Sequence, residues 1–91
     1  MNKAKEIIET ESKWQRIDSV VLRDNLIEEL NKLQFDTYKQ RVQLLAELTG
    51  STKYTVEAWI NSGRRNIKVP FLKLCRIASE LDLDIDKLLE F

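Results

Sequence analysis

Residues 42–61 read VQLLAELTGSTKYTVEAWIN, and four positions in this stretch decide the predicted fold. Two helices that cross steeply need a small side chain where they touch, and Ala46 supplies it. Gly50 allows a sharp turn between them, because glycine adopts a positive φ without a Cβ clash. Val56 and Trp59 then point back into the core from the helix that follows the turn, which is the third predicted helix of the chain. The predicted core of this motif is Leu45, Ala46, Gly50, Val56 and Trp59, sealed by Leu48.

Upstream of this stretch, large apolar residues recur at three- and four-residue steps, which is typical of an amphipathic helix. The stripe consists of Trp14, Ile17, Val21, Leu22, Leu26, Leu30 and Leu33. It predicts a long helix that begins near Ser12 or near Asp18 and ends at Leu33. Residues 1–11 contain only Ile7 and Ile8 as large apolar groups, so they are predicted to form a short helical arm or a frayed end.

Cap and turn residues place the other predicted helices, while alternating strand patterns are nearly absent. Asp36 or Thr37 caps the second helix, Pro70 suits the first position of the fourth, and Asp84 caps a short last helix. The second helix is predicted to end at Leu48, and the third to run from Lys53 to Asn61. The fourth is predicted to run from Pro70 to Asp82, and the last begins after Asp84.

The composition narrows the possible chemistry of this 91-residue chain, which is 43% hydrophobic and 33% charged, as one globular domain is. It has no histidine and one cysteine, so the usual general base, the usual zinc ligands and an internal disulfide are absent. We find no phosphate-binding glycine loop, no secretory signal and no apolar run of about 20 residues. The composition therefore predicts a cytoplasmic protein without metal, cofactor, small-molecule ligand or membrane span, and it disfavours an enzyme.

Charge is unevenly distributed, although the formal net charge is zero. Residues 1–33 carry six basic and seven acidic side chains, and residues 71–91 carry three basic and five acidic. Residues 34–70 carry six basic against three acidic side chains. Because the local potential decides whether phosphate binds, nucleic acid is not excluded as a partner.

The spacing of Ala46, Gly50, Val56 and Trp59 resembles the helix-turn-helix of lambda-repressor-like, Xre/Cro-type regulators. Beyond Pro70, the segment LKLCRIASELDLDIDKLL is similar to the fourth and fifth helices of that family. The resemblance implies an all-α, five-helix, lambda-repressor-like domain over residues 20–91. Residues 1–19 form an N-terminal arm or helical extension that the family core does not need.

The resemblance also implies that the third helix enters the major groove of double-stranded DNA. Excluding its inward positions leaves the candidate base contacts Thr52, Lys53, Tyr54, Glu57, Ala58 and Asn61. Lysine donates to guanine and glutamate accepts from cytosine, which makes Lys53 and Glu57 the more selective of these. The candidate phosphate contacts are Lys39, Arg41, Arg64, Arg65, Asn66 and Lys68.

Each candidate also has a structural alternative. In this alternative, the side chains of Lys53 and Asn61 are simply solvated and contact no base. Tyr54 would then pack against the arm, and Glu57 would be a charged residue of the helix surface. Trp59 is expected in the core rather than stacked on a base. Cys75 is expected to be a small buried hydrophobic group rather than a redox sensor.

A single motif contacts few base pairs, so a homodimer is expected. Two surfaces are candidates for its interface: the C-terminal helix with Leu88, Leu89 and Phe91, or the arm with Ile7, Ile8, Trp14 and Ile17. In the arm, Trp14 and Ile17 alternatively cover the chain's own core. The preferred function is a transcriptional repressor of phage or mobile-element type. The alternative is a protein-interaction module, such as an inhibitor of a host nuclease or polymerase, acting through residues 82–86 or the arm.

Overall fold

The computed structural model describes residues 3–61 and 66–90, and it is all-helical over these residues, as predicted. Six α-helices follow one another: α1 Lys3–Arg16, α2 Ser19–Lys32, α3 Tyr38–Thr49, α4 Lys53–Ile60, α5 Phe71–Glu80 and α6 Ile85–Leu88. In this part of the chain, none of them has the length and the apolar character that crossing a lipid bilayer requires.

The predicted long N-terminal helix is divided into α1 and α2 by a cap at Asp18. The Asp18 carboxylate accepts a hydrogen bond of 2.7 Å from the backbone N–H of Val20, so α2 begins at Ser19. Of the two predicted starts, the one near Asp18 is therefore correct. The arm is a helix from Lys3 to Arg16, and not a frayed end.

The core is built on α2, whose residues Leu22, Leu26 and Leu30 are fully buried at four-residue steps. The helices α4 and α6 pack against α2, while α3 packs against α4 and α5. Leu33, the last residue of the predicted stripe, is instead 40% exposed. It lies beyond the end of α2, where Gln34 turns the chain with a φ of 70°.

The turn between α3 and α4 forms as the sequence pattern predicts. Thr37 and Gln40 make a reciprocal capping box at the start of α3, and Gly50 ends this helix with a φ of 66°. Thr52 caps α4 by accepting a hydrogen bond from the N–H of Thr55. The inward residues of the motif, Leu45, Val56 and Trp59, are all at most 2% exposed.

Replacing Gly50 with alanine is expected to lower the free energy of unfolding by about 1–2 kcal/mol. The loss comes from the positive φ alone, because an added Cβ would have no neighbour within 4 Å. Urea denaturation measures it, with Gly50→Asn as a milder control, since asparagine tolerates this conformation better. An alanine variant as stable as the parent would show that the turn does not require the left-handed conformation.

At the C-terminus, Asp84 caps α6 as predicted. The chain turns at Asp82, which has a φ of 54° and lies two residues beyond the end of α5. Pro70 is the N-cap of α5 rather than its first residue. The side chains of Leu88 and Leu89 are 0% and 2% exposed. The prediction that these two leucines form a dimer surface is therefore wrong, because both pack into the core of their own chain. Phe91, the third residue of that predicted surface, lies outside the residues that the structure describes.

Candidate nucleic-acid interface

The outward face of α4 carries most of the predicted base contacts. Val56, Trp59 and Ile60 fix the inward face of this helix, so Lys53 and Tyr54 in its first turn project to solvent. Tyr54 is 75% exposed, which shows that it does not pack against the arm. Glu57 and Ala58 are half-buried farther along the helix.

The predicted base contacts at the two ends of α4, Thr52 and Asn61, are the cap residues of this helix. The Thr52 hydroxyl accepts from the Thr55 N–H at 3.1 Å and donates to the Thr55 hydroxyl at 3.0 Å. Both of its hydrogen-bonding functions therefore serve the cap. Asn61 is half-buried at the C-cap, where its backbone N–H donates to the Glu57 carbonyl at 2.8 Å. Lys53 and Tyr54 are the candidate base contacts with exposed side chains on α4, while Glu57 is selective in its chemistry but half-buried.

The start of α3 lies beside this face and adds a residue that the sequence pattern did not single out. The Tyr38 hydroxyl donates to a carboxylate oxygen of Glu57 at 3.1 Å. A shallow depression of about 170 Å³ lies here, lined by Tyr38, Lys39, Val42, Lys53 and Glu57. Lys39, predicted to contact phosphate, and Lys53, predicted to contact a base, thus line the same depression.

Electrostatics at this depression favour an anion. Neither α3 nor α4 has an acidic residue in its first turn. The positive dipole ends of α3 and α4 therefore add to the two ammonium groups of Lys39 and Lys53. Glu57 keeps its negative charge while it accepts the tyrosine hydroxyl, so the two ammonium groups in the lining exceed the acidic charge by one.

Three predicted phosphate contacts are instead engaged within the protein. Arg41 donates through Nη2 to the Asn31 side chain and, at 2.8 Å, to the Asp36 carbonyl, which secures the turn before α3. Asn66 donates through Nδ2 to the Trp59 carbonyl at 2.6 Å. Lys68 donates through Nζ to two carbonyls at the end of α1.

Arg64 and Arg65, the other predicted phosphate contacts, lie outside the residues that the structure describes. Among the predicted phosphate contacts in the described part of the chain, Lys39 is therefore the one that is exposed and lies next to the outward face of α4.

An apolar groove of about 550 Å³ lies on another side of the molecule, between α1, α5 and the start of α6. Ile7 and Leu72 line it and are 59% and 79% exposed, and Ile8 nearby on α1 is 68% exposed. Cys75 also lines it, half-buried rather than fully buried, and burial raises the pKa of its thiol. This raised pKa keeps the thiol protonated near neutral pH.

Within residues 3–61 and 66–90, no three His, Cys, Asp or Glu side chains cluster in a way that could hold a metal ion. Comparison of the chain with models of protein families, with curated proteins and with solved structures gives no match. The functional assignment below therefore rests on the site itself.

Proposed function

We propose that the chain is a sequence-specific, double-stranded DNA-binding protein, built as a lambda-repressor-like helix-turn-helix and acting as a cytoplasmic transcriptional repressor. The observation that carries this proposal is the common depression of Lys39 and Lys53 at the starts of α3 and α4. In helix-turn-helix proteins, the first helix of the motif meets the DNA backbone while the second enters the major groove. Lys39 then contacts phosphate, and Lys53 and Tyr54 meet base edges.

The dimensions of α4 suit this role. An α-helix with its side chains is about 10–12 Å across, and the major groove of B-DNA is about 12 Å wide. The first turn of α4 carries the exposed residues Lys53 and Tyr54, so base contacts concentrate at the N-terminal end. So few selective side chains specify only a short half-site.

A homodimer is therefore part of the proposal, with two α4 helices about 34 Å apart in successive major grooves. Since Leu88 and Leu89 are buried, the C-terminal helix does not offer them to a second copy. Trp14 is half-buried and Ile17 is 2% exposed, so these arm residues also cover the chain's own core. Of the arm residues, Ile7 and Ile8 remain exposed for the dimer.

Selection of bound sequences from a random duplex pool tests this function. We expect an enriched palindrome whose half-sites are centred about 10 base pairs apart. Lys53→Ala is expected to relax the preference at one position of each half-site, at a cost of about 1–3 kcal/mol. Lys32→Ala is the matched control, because Lys32 is an exposed lysine near the end of α2, ion-paired with Glu29 at 3.3 Å. Recovery of unenriched sequence would contradict specific recognition.

A second candidate function, a protein-interaction module, is favoured by the apolar groove and the exposed Ile7, Ile8 and Leu72 around it. Exposed apolar patches of this kind are often interaction sites. Ile8→Glu separates the candidates when it is tested in the monomeric range of concentration. If α4 carries the function, the parent protein and Ile8→Glu should bind DNA with the same affinity per protomer. If the chain is a protein-interaction module, neither of them should bind DNA.

A further inference from the structure

We propose that α1 is a brace for residues 66–69, the segment that precedes α5, and that Lys68 and Trp14 are positioning residues for DNA binding rather than DNA contacts. This role rests on the DNA-binding function proposed above for α4. It assigns a purpose to the N-terminal extension, and it gives Lys68 a task other than the phosphate contact that its charge predicts.

The first contact lies at the C-terminal end of α1. The carbonyls of Trp14 and Gln15 are in the last turn of this helix, where no further helical N–H group is available to them. The Lys68 ammonium donates to these two carbonyls at 2.8 and 3.3 Å. A positive charge at this position also complements the negative end of the helix dipole. Lys68 is thus a cap for α1 supplied from 54 residues away.

The side chain of Trp14 in turn contacts residues 68 and 69. Its Nε1 donates to the Val69 carbonyl at 2.8 Å, and its ring lies 4.9 Å from the Lys68 ammonium, within the range of a cation–π contact. The Phe71 ring is 6.0 Å away, at the start of α5. Side chains from both partners therefore hydrogen-bond to the backbone of the other, which fixes residues 68–69 against α1.

The same segment is tied to α4 just before Lys68. The Ile67 N–H donates to the Ala58 carbonyl at 2.9 Å, and Asn66 Nδ2 donates to the Trp59 carbonyl at 2.6 Å. Residues 66–69 are consequently held on one side by the end of α4 and on the other by the end of α1. Loosening the contacts to α1 should therefore loosen the C-terminal end of α4, and with it the orientation of the helix that is proposed to lie in the major groove.

The variants Lys68→Met and Trp14→Phe test the brace, with Lys13→Met as the matched control. Met is one heavy atom shorter than Lys and removes its charge, and Phe keeps a smaller aromatic ring while removing the Nε1 donor. Lys13 lies on the same helix and ties it to Asp86 of α6 at 3.2 Å, so its substitution removes one charge and one tie of α1 elsewhere. Two quantities are measured: DNA affinity over a series of salt concentrations, and amide exchange of Ile67 without DNA.

For Lys68→Met and Trp14→Phe, we expect a loss of DNA affinity of about tenfold with an unchanged salt slope. We also expect Ile67 to exchange at least about tenfold faster. The double variant should lose little more than the larger single loss, because the two side chains act as one unit. Lys68→Arg should retain the parent behaviour, and Lys13→Met should alter neither quantity at Ile67 or on DNA.

Two outcomes would overturn the brace. A salt slope smaller by about one in Lys68→Met would show that Lys68 contacts phosphate directly. Unchanged exchange at Ile67 in both single variants would show that α1 does not hold the segment. If the parent protein did not bind DNA, the proposed function would fail, while the exchange measurement would still decide whether the brace exists.

Discussion

Replacing both Lys39 and Lys53 with glutamate is expected to lower DNA affinity by at least about 30-fold, which corresponds to about 2 kcal/mol. The two lysines line one depression, so one reversed charge would face the phosphate proposed for Lys39 and the other the base edge proposed for Lys53. Folding should be spared, because both positions lie in the first turns of α3 and α4, where an acidic side chain complements the helix dipole. Fluorescence anisotropy with a labelled duplex at low salt measures the loss.

The chain offers a matched control for this double reversal. Lys32 and Lys87 also line a common depression, formed by α2 and the C-terminal end of the chain and remote in sequence from α4. Lys32→Glu combined with Lys87→Glu changes the net charge by the same amount. We expect its affinity to stay within about threefold of the parent. Equal losses in the two double variants would mean that DNA responds only to overall charge, and that α3 and α4 form no specific interface.

Replacing Trp59 with alanine is expected to cost about 3–5 kcal/mol of folding free energy. Trp59 is only 2% exposed, and the Lys73 ammonium lies 5.7 Å from its ring centroid. Since domains are typically stable by about 5–15 kcal/mol, this variant should lie close to its unfolding threshold. Chemical denaturation followed by circular dichroism measures the change.

Tyr54→Ala provides the comparison, because this second aromatic residue of α4 is 75% exposed. Its effect on stability should lie within about 0.5 kcal/mol. On DNA, however, Tyr54→Ala should weaken binding, since its ring projects from the face proposed to meet base edges. A large loss of stability in Tyr54→Ala, or none in Trp59→Ala, would reverse the assignment of inward and outward faces on α4.

The elements that sequence predicted well are governed by local physics. Gly50 adopts the left-handed conformation that ends α3, and Asp84 caps α6, because both depend on a few neighbouring residues. The stripe of α2 also follows from helical periodicity. The break at Asp18 was only one of two predicted starts, since a continuous helix through Ile17 preserves the same apolar spacing.

The predictions that changed depend on contacts between distant residues. Lys68 has the same charge whether it faces DNA or caps α1, and its partner Trp14 lies 54 residues away. Tyr38 meets Glu57 across a separation of 19 residues, which no local pattern reveals. Apolar periodicity likewise does not distinguish Leu88 in the chain's own core from Leu88 at a dimer interface. These assignments require the tertiary packing.

The salt dependence of duplex DNA binding tests the central claim most directly. For a dimer that neutralises at least two phosphates, one through Lys39 of each protomer, the logarithm of the association constant should fall linearly with that of the salt concentration, with a slope at least as steep as about −1.8. Such a slope in a chain of zero net charge would require a local basic surface like the one at Lys39 and Lys53. Undetectable binding at low salt, or an affinity that does not fall as salt rises, would contradict the proposed function.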